Sequence, residues 1–306
     1  MTQVPLVYHP NYSCEFPENH RFVMSKFVRL HDYCQTKGLI GPSNLFQPTS
    51  VSREAMARVH DAGYLNMLCD HSLDPSAWRR IGLPWSEGLI ERTFTAPNGT
   101  LLSARLALQH GLACHLAGGT HHAHYDFGSG FCLLNDLAFT ARTLINSGEV
   151  DSLLVFDLDV HQGDGTAAML SDETRAFTCS IHCEKNFPFR KSMSDLDIGL
   201  DKHLKDQAYL EVVEETLHSL LNHQAPELVL YDAGVDVWVD DELGHLDISS
   251  EGIRQRDELV IKACLDRGIP IATVIGGGYD RDHQRLAQRH AVVIETAAQL
   301  FESNLS

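Results

Sequence analysis

The sequence predicts an α/β fold with a parallel sheet. Three short apolar runs carry that expectation: Leu153-Leu154-Val155-Phe156, Leu228-Val229-Leu230-Tyr231 and Ile271-Ala272-Thr273-Val274-Ile275. Each is short, rich in β-formers and without alternation, the pattern of a strand buried on both faces. Helical periodicity separates them, over Tyr209 to Leu221 and Ser250 to Leu265, as crossover connections require. Upstream, the spacing of apolar residues predicts helices over Glu54 to Leu68, Leu101 to Leu116 and Leu133 to Ile145, the last stopped at Gly148. The segment from Glu184 to Asp206 lacks periodicity and is expected to be a long loop.

Composition narrows the class. The chain has 306 residues, 43% hydrophobic and 21% charged, with 24 basic against 41 acidic side chains and a formal charge of −17. These values exclude disorder and a disulfide-stapled module, and the length allows one large domain or two small ones. No basic stripe is present to neutralise phosphates, so nucleic-acid binding is not expected. The acidic balance suits a cationic partner. No apolar stretch is long enough to span a membrane. The first residues lack the basic start and apolar core of a signal peptide, and the eight cysteines form no C-x-x-C pair. Reduced thiols in a cytoplasm are the expectation. Cys179 and Cys183 have the spacing of a metal pair, but buried thiols are the commoner use.

Every apolar run ends in polar or glycine-rich residues, and ligand sites in parallel sheets lie beyond the carboxyl ends of strands. The densest group is Asp157-Leu158-Asp159-Val160-His161-Gln162-Gly163-Asp164-Gly165. If the strand continues, Asp157, Asp159 and His161 share one side. Two carboxylates and an imidazole in that pattern suggest a metal site. A second group is Gly118-Gly119-Thr120-His121-His122, two adjacent imidazoles suited to acid–base work. Asp157 and Asp164 are candidate partners to fix their tautomers. Asp236 follows the second run and could complete a ligand set with Asp159 and His161; alone it reads as a turn or cap residue. Gly276-Gly277-Gly278-Tyr279 follows the third, without the Lys-Ser/Thr of a P-loop, and could aim a phenol into a cleft.

Taken in order, His121-His122, Asp157-x-Asp159-x-His161-x-Gly163-Asp164-Gly165, Ala233-Gly234-x-Asp236 and Gly276-Gly277-Gly278-Tyr279 resemble the histone deacetylase family, including its acetoin-utilisation and acetylpolyamine amidohydrolase members. The resemblance runs from about Val59 to Tyr279. The segment Ile248-Ser249-Ser250-Glu251-Gly252-Ile253 looks closest to the class IV branch and its bacterial relatives.

The resemblance implies a three-layer α/β/α sandwich and a single catalytic domain over residues 1–306. It implies a divalent metal, zinc or alternatively iron(II), on Asp159, His161 and Asp236, with Tyr279 as oxyanion donor. By the same matching, His121 and His122 are the catalytic pair, Asp157 and Asp164 their carboxylates. Gly130, Phe131, Phe187 and Gly277 match the substrate-binding positions. A structural potassium is implied on the carbonyls of Asp157, Asp159 and His161 with the Ser180 hydroxyl. The family's substrate-gripping acid belongs on an early loop, where Glu87 is the nearest candidate.

The implied activity is metal-assisted removal of acetyl or longer acyl groups from lysine in proteins. Small acylated amines such as acetylpolyamines are the alternative substrates. An arginase-like two-manganese ureohydrolase and an acyl-lysine binding module without turnover are the rival readings.

Overall fold

The computed structural model describes residues 2–304. Eight strands, β1 (Leu6–Val7), β2 (Leu45–Phe46), β3 (Leu112–His115), β4 (Leu153–Asp157), β5 (Ala176–Cys183), β6 (Leu196–Leu200), β7 (Val229–Asp232) and β8 (Ile271–Val274), form one sheet. Its order is β2-β1-β3-β8-β7-β4-β5-β6, and every pairing is parallel. The helices are α1 (Lys26–Thr36), α2 (Arg53–Met56), α3 (Ala62–Cys69), α4 (Pro75–Ile81), α5 (Glu87–His110), α6 (Asp136–Ser147), α7 (Asp164–Leu170), α8 (Asp206–Gln224), α9 (Ser250–Leu265) and α10 (His283–Asn304). Helices α8, α9, α10 and α1 pack as one row, and α5, α6 and α7 as another. The sheet lies between them, as an α/β/α sandwich requires.

The three predicted strands are present as β4, β7 and β8, and all are buried. The helices predicted around them are α8 and α9. Ser249 caps α9, its hydroxyl accepting the Gly252 N–H at 3.0 Å. Helix α6 starts three residues later than expected, capped by Asn135, and ends at Gly148, whose φ of 70° is left-handed.

Three expectations are corrected. The helix over Glu54 to Leu68 is two helices. Asp61 takes an extended conformation and caps α3 through the Tyr64 N–H at 2.8 Å. The buried His60 ring is held by the Asn135 N–H at 3.0 Å, so tertiary bonds and a cap override the local period. The helix over Leu101 to Leu116 starts much earlier, at Glu87, and stops at His110. Gly111, at φ 87°, turns the chain into β3, which is fully buried. The segment from Glu184 to Asp206 is not wholly loop. Leu196-Asp197-Ile198-Gly199-Leu200 alternates with period two and pairs with β5 as the edge strand.

Cys179 and Cys183 lie buried on β5 as free thiols, and neither joins a cluster of metal-ligand type among the described residues.

Candidate active site

The parallel topology brings the carboxyl ends of β3, β8, β7 and β4 side by side. Residues more than a hundred positions apart therefore meet at one end of the sheet. From β3 the chain runs through Gly118 and Gly119 to the histidines. Gly119 is needed there: at φ 81°, a Cβ would lie 2.6 Å from the Gly276 Cα.

The two imidazoles are buried, their ring centroids 4.2 Å apart. Each is bound through Nδ1 to its own carboxylate. His121 meets Asp157 Oδ2 at 2.7 Å, and His122 meets Asp164 Oδ1 at 2.6 Å. The second oxygen of Asp164 meets His124 Nε2 at 3.0 Å. The near-identical dyads differ in electrostatics. Burial opposes charge on His121, but Asp157 and Asp159 more than offset it and hold the ring well above the ordinary imidazole range. For His122, burial and then the neighbouring His121 charge prevail over Asp164 and push it down to about 4. At neutral pH one ring is a fixed cation and the other a neutral base.

Asp159, His161 and Asp236 form a buried group whose ligand-type atoms all lie within 4.8 Å of one another. His161 Nδ1 is 3.0 Å from Asp159 Oδ1 and 3.1 Å from Asp236 Oδ2. The remaining oxygens are oriented by the backbone: Gly277 N–H donates to Asp159 Oδ2 at 2.7 Å and Val160 N–H to Asp236 Oδ1 at 2.9 Å. Gly277 has to be glycine, since a Cβ would sit 2.1 Å from Asp236 Oδ2. Burial disfavours charge on His161, yet the two carboxylates pull it up to about 10. Such a donor set attracts a cation strongly. Two carboxylates and an imidazole on one point fit a divalent ion with an open coordination position.

Tyr279 is nearly buried, its backbone N–H donating to Asp241 Oδ2 at 2.8 Å. Burial, then Asp236 and Asp159, hold its phenol well above the usual range, so it stays a donor. It borders two cavities that meet at His122, His161, Gly130 and Phe131. The outer one, about 360 Å³, opens to solvent between Phe131 and Phe187; the inner one is about 40 Å³. The Phe187 ring stands edge-on to His122 at 4.8 Å, and Phe131 lies 5.8 Å from Tyr279. Gly130, at φ 52°, leaves room for both, because a Cβ there would be 2.5 Å from His122. Ser180 lies opposite Asp157 in the β4–β5 register, its hydroxyl 3.0 Å from His182 Nδ1.

All the predicted catalytic, metal and tunnel residues thus converge. Glu87 does not join them: it opens α5 behind the cap residue Ser86 and lines neither cavity.

Four residues of the site escaped the sequence reading. Lys26 and Arg92 line the inner cavity from α1 and α5. Lys26 Nζ reaches the Gly276 carbonyl at 3.4 Å; burial, then Arg92, lowers it to about 8. Asp241 holds Tyr279 from beneath, and burial, then Asp236, raises it to about 7. Asp232 closes the floor with neither carboxylate oxygen hydrogen-bonded. Burial, with Asp157 next, pushes it well above the ordinary carboxylate value. Lys26 and Arg92 lie far from the motifs in sequence, and Asp232 and Asp241 flank the Asp236 motif without being part of it.

Residues 20–296 match the family model of the histone deacetylase domain. The chain belongs to the histone deacetylase family. It is therefore a metal-dependent deacetylase, a hydrolase. An uncharacterized protein of Picosynechococcus sp. is 48% identical over 297 residues, covering 97% of this chain and 99% of that one. Histone deacetylase 2 of Arabidopsis thaliana is 27% identical, covering 94% of this chain and 77% of the relative. A histone deacetylase homologue solved in complex with SAHA superposes with a TM-score of 0.79 at 23% identity, over 98% of this chain and 89% of its own. The homologue from Aquifex aeolicus gives 0.79 at 22% identity, over 96% and 84%. These structures share the sandwich fold. No helix among the described residues is long and apolar enough to cross a membrane.

Proposed function

We propose that this chain, as one catalytic domain over residues 1–306, hydrolyses short acyl groups, acetyl above all, from the ε-amine of lysine in proteins. The observation that carries this reading is the pair of buried His–Asp dyads beside a buried three-ligand group, at the base of a cleft bordered by two phenyl rings. Asp159, His161 and Asp236 would hold the divalent ion, zinc as the family resemblance implies and iron(II) as the alternative, since two carboxylates and an imidazole suit either. When bound, that ion supplies Lewis-acid polarisation of the acyl carbonyl and acidifies water.

The chain's own residues do the rest. His122, tethered at Nδ1 by Asp164, takes a proton from the attacking water at Nε2. A carbon–oxygen bond forms, and Tyr279 donates its phenol proton as a hydrogen bond to the developing oxyanion. His121, held charged by Asp157, stabilises that anion without moving a proton. His122 then passes its proton to the departing lysine nitrogen as the carbon–nitrogen bond breaks, leaving amine and carboxylate. Phe131 and Phe187 flank the lysine methylenes. A potassium ion on the Asp157, Asp159 and His161 carbonyls with Ser180 would brace the same loop.

Acyl length follows from volume. The inner cavity of about 40 Å³ is worth roughly three water sites at 10–15 Å³ each. That suits an acetyl group and not a long fatty chain.

The test is a matched peptide series, acetyl through myristoyl, with zinc-loaded protein and Tyr279→Phe as control. A Tyr279-dependent rate that peaks at acetyl supports the reading. A peak at long chains overturns the chain-length assignment, and no Tyr279-dependent rate on any member overturns the lysine deacylase.

A further inference from the structure

The mouth of the outer cavity is cationic in an acidic chain. Arg79 and Arg80, from the last turn of α4, stand beside Phe131; Lys185, just beyond β5, stands beside Phe187. All three are exposed, and among the described residues no carboxylate lines the cavity. The acids nearest in sequence are turned to other partners: Glu184 to His182 at 4.0 Å and Glu242 to Arg281 at 3.1 Å. Arg79 acts on Asp74 only at longer range, and Arg80 spends its Nε on the Gly128 carbonyl at 3.1 Å. His245, also at the mouth, is lowered by burial and then by Lys202, and adds no charge at neutral pH.

We propose that this cationic mouth selects acyl-lysines that sit among acidic residues, and rejects basic tails and polyamines. The proposal rests on the deacylase reading and names the substrate class of that same site. Lysine enters by its acylated end, so the peptide backbone stays at the mouth. An extended chain advances about 3.3–3.6 Å per residue, which puts the side chains one or two positions either side of the lysine within reach of the three cations. The overall charge of −17 points the other way, but at physiological salt it is screened beyond about 8 Å. At the mouth the local charges decide. A polyamine or a basic tail would bring its cations against Arg79, Arg80 and Lys185 with no carboxylate to receive them.

The experiment compares three acetyl-lysine peptides of equal length, flanked by Glu, by Gln or by Lys, together with an acetylpolyamine. kcat/KM is measured at low salt and at high salt. The expected order is Glu, then Gln, then Lys, spanning about tenfold at low salt and shrinking as salt screens the contact. In Arg79→Glu/Lys185→Glu the order should reverse. The salt series uses wild-type protein, so it stands whether or not the double variant folds. Preference for the Lys-flanked peptide or the acetylpolyamine overturns the proposal, as does an order that neither salt nor charge reversal changes. The Gln-flanked peptide separates the two levels. Its hydrolysis without any charge preference removes only this proposal. No Tyr279-dependent hydrolysis of it removes the deacylase reading, and this proposal with it.

Discussion

The floor of the cleft and its mouth hold charge in opposite ways. On the floor, Asp157, Asp159, Asp164 and Asp236 are buried, and each is tied to an imidazole or a backbone N–H. At the mouth, Arg79, Arg80 and Lys185 are exposed, and no carboxylate among the described residues lines the cavity beside them. Buried charge needs partners because desolvation is expensive, so the floor is rigid and its protonation states are set in advance. Exposed charge costs little and stabilises little, which leaves it available to a substrate. The comparison teaches that chemistry and selectivity are separable here: changes on the floor should alter turnover, and changes at the mouth the ranking of substrates.

The largest effect should come from breaking the floor's ligand group. Asp159→Ala removes one of the two carboxylates that meet at His161. The variant should lose bound metal, measured by elemental analysis, and nearly all activity. Unchanged metal content would break the ligand assignment. Next is Tyr279→Phe, which should keep the metal and lose on the order of a hundredfold or more in kcat, as expected for removing one oxyanion donor. Retained turnover would take Tyr279 out of the chemistry.

The contrast between the two dyads sets a pH dependence. His122 must be neutral to take a proton, and its value is pushed down to about 4. The acidic limb of kcat/KM should therefore fall well below the ordinary imidazole value of about 6.5. Asp157→Asn removes the chief support of the His121 charge. With that charge reduced, His122 should bind its proton more readily and the limb should move up in pH. A limb that stays put, or a wild-type limb at the ordinary value, would reject the division of labour.

The smallest effect sharpens the comparison outside the cleft. Asp280 is buried between Arg285 at 2.7 Å and Arg289 at 2.8 Å. Burial opposes its charge, but the two arginines hold it down at about 2. A lowered carboxylate contributes stability that is fully present above its unfolded value near 3.9 and is lost as pH falls toward 2. Asp280→Asn should cost on the order of 2 kcal/mol at neutral pH, and the two denaturation curves should converge in acid. A gap that persists at pH 2 would mean the loss is not electrostatic.

Much of this was legible in the chain. Asp157, Asp159, His161 and Asp164 fall within eight positions after an apolar run, and β-alternation and a glycine turn suffice to bring them together. Asp236 and Tyr279 were legible because each follows a strand in a parallel sheet. Lys26, Arg92, Asp232 and Asp241 were not, because their roles depend on which elements pack over the floor and no local pattern marks them. Strand β5 was missed for a related reason. It carries Thr178, Ser180 and His182 among its apolar residues, and their burial is supported by contacts that only the assembled sheet supplies. Glu87 misleads in the opposite sense: among Trp85, Ser86 and Gly88 it resembles a loop acid, yet Ser86 caps a helix that starts at Glu87 itself.

The sheet order has a consequence for how the molecule is made. Strands β7 and β8, the last in the chain, fill the gap between β3 and β4. Until they emerge, the growing polypeptide holds two half-sheets, β2-β1-β3 and β4-β5-β6, each with a fully buried-type strand exposed along an open edge. At roughly 5–20 residues per second that interval lasts several seconds during synthesis. Open apolar edges recruit other strands. The nascent chain is thus most prone to aggregate just before its final two strands insert, and the catalytic floor comes into being in that same closing step.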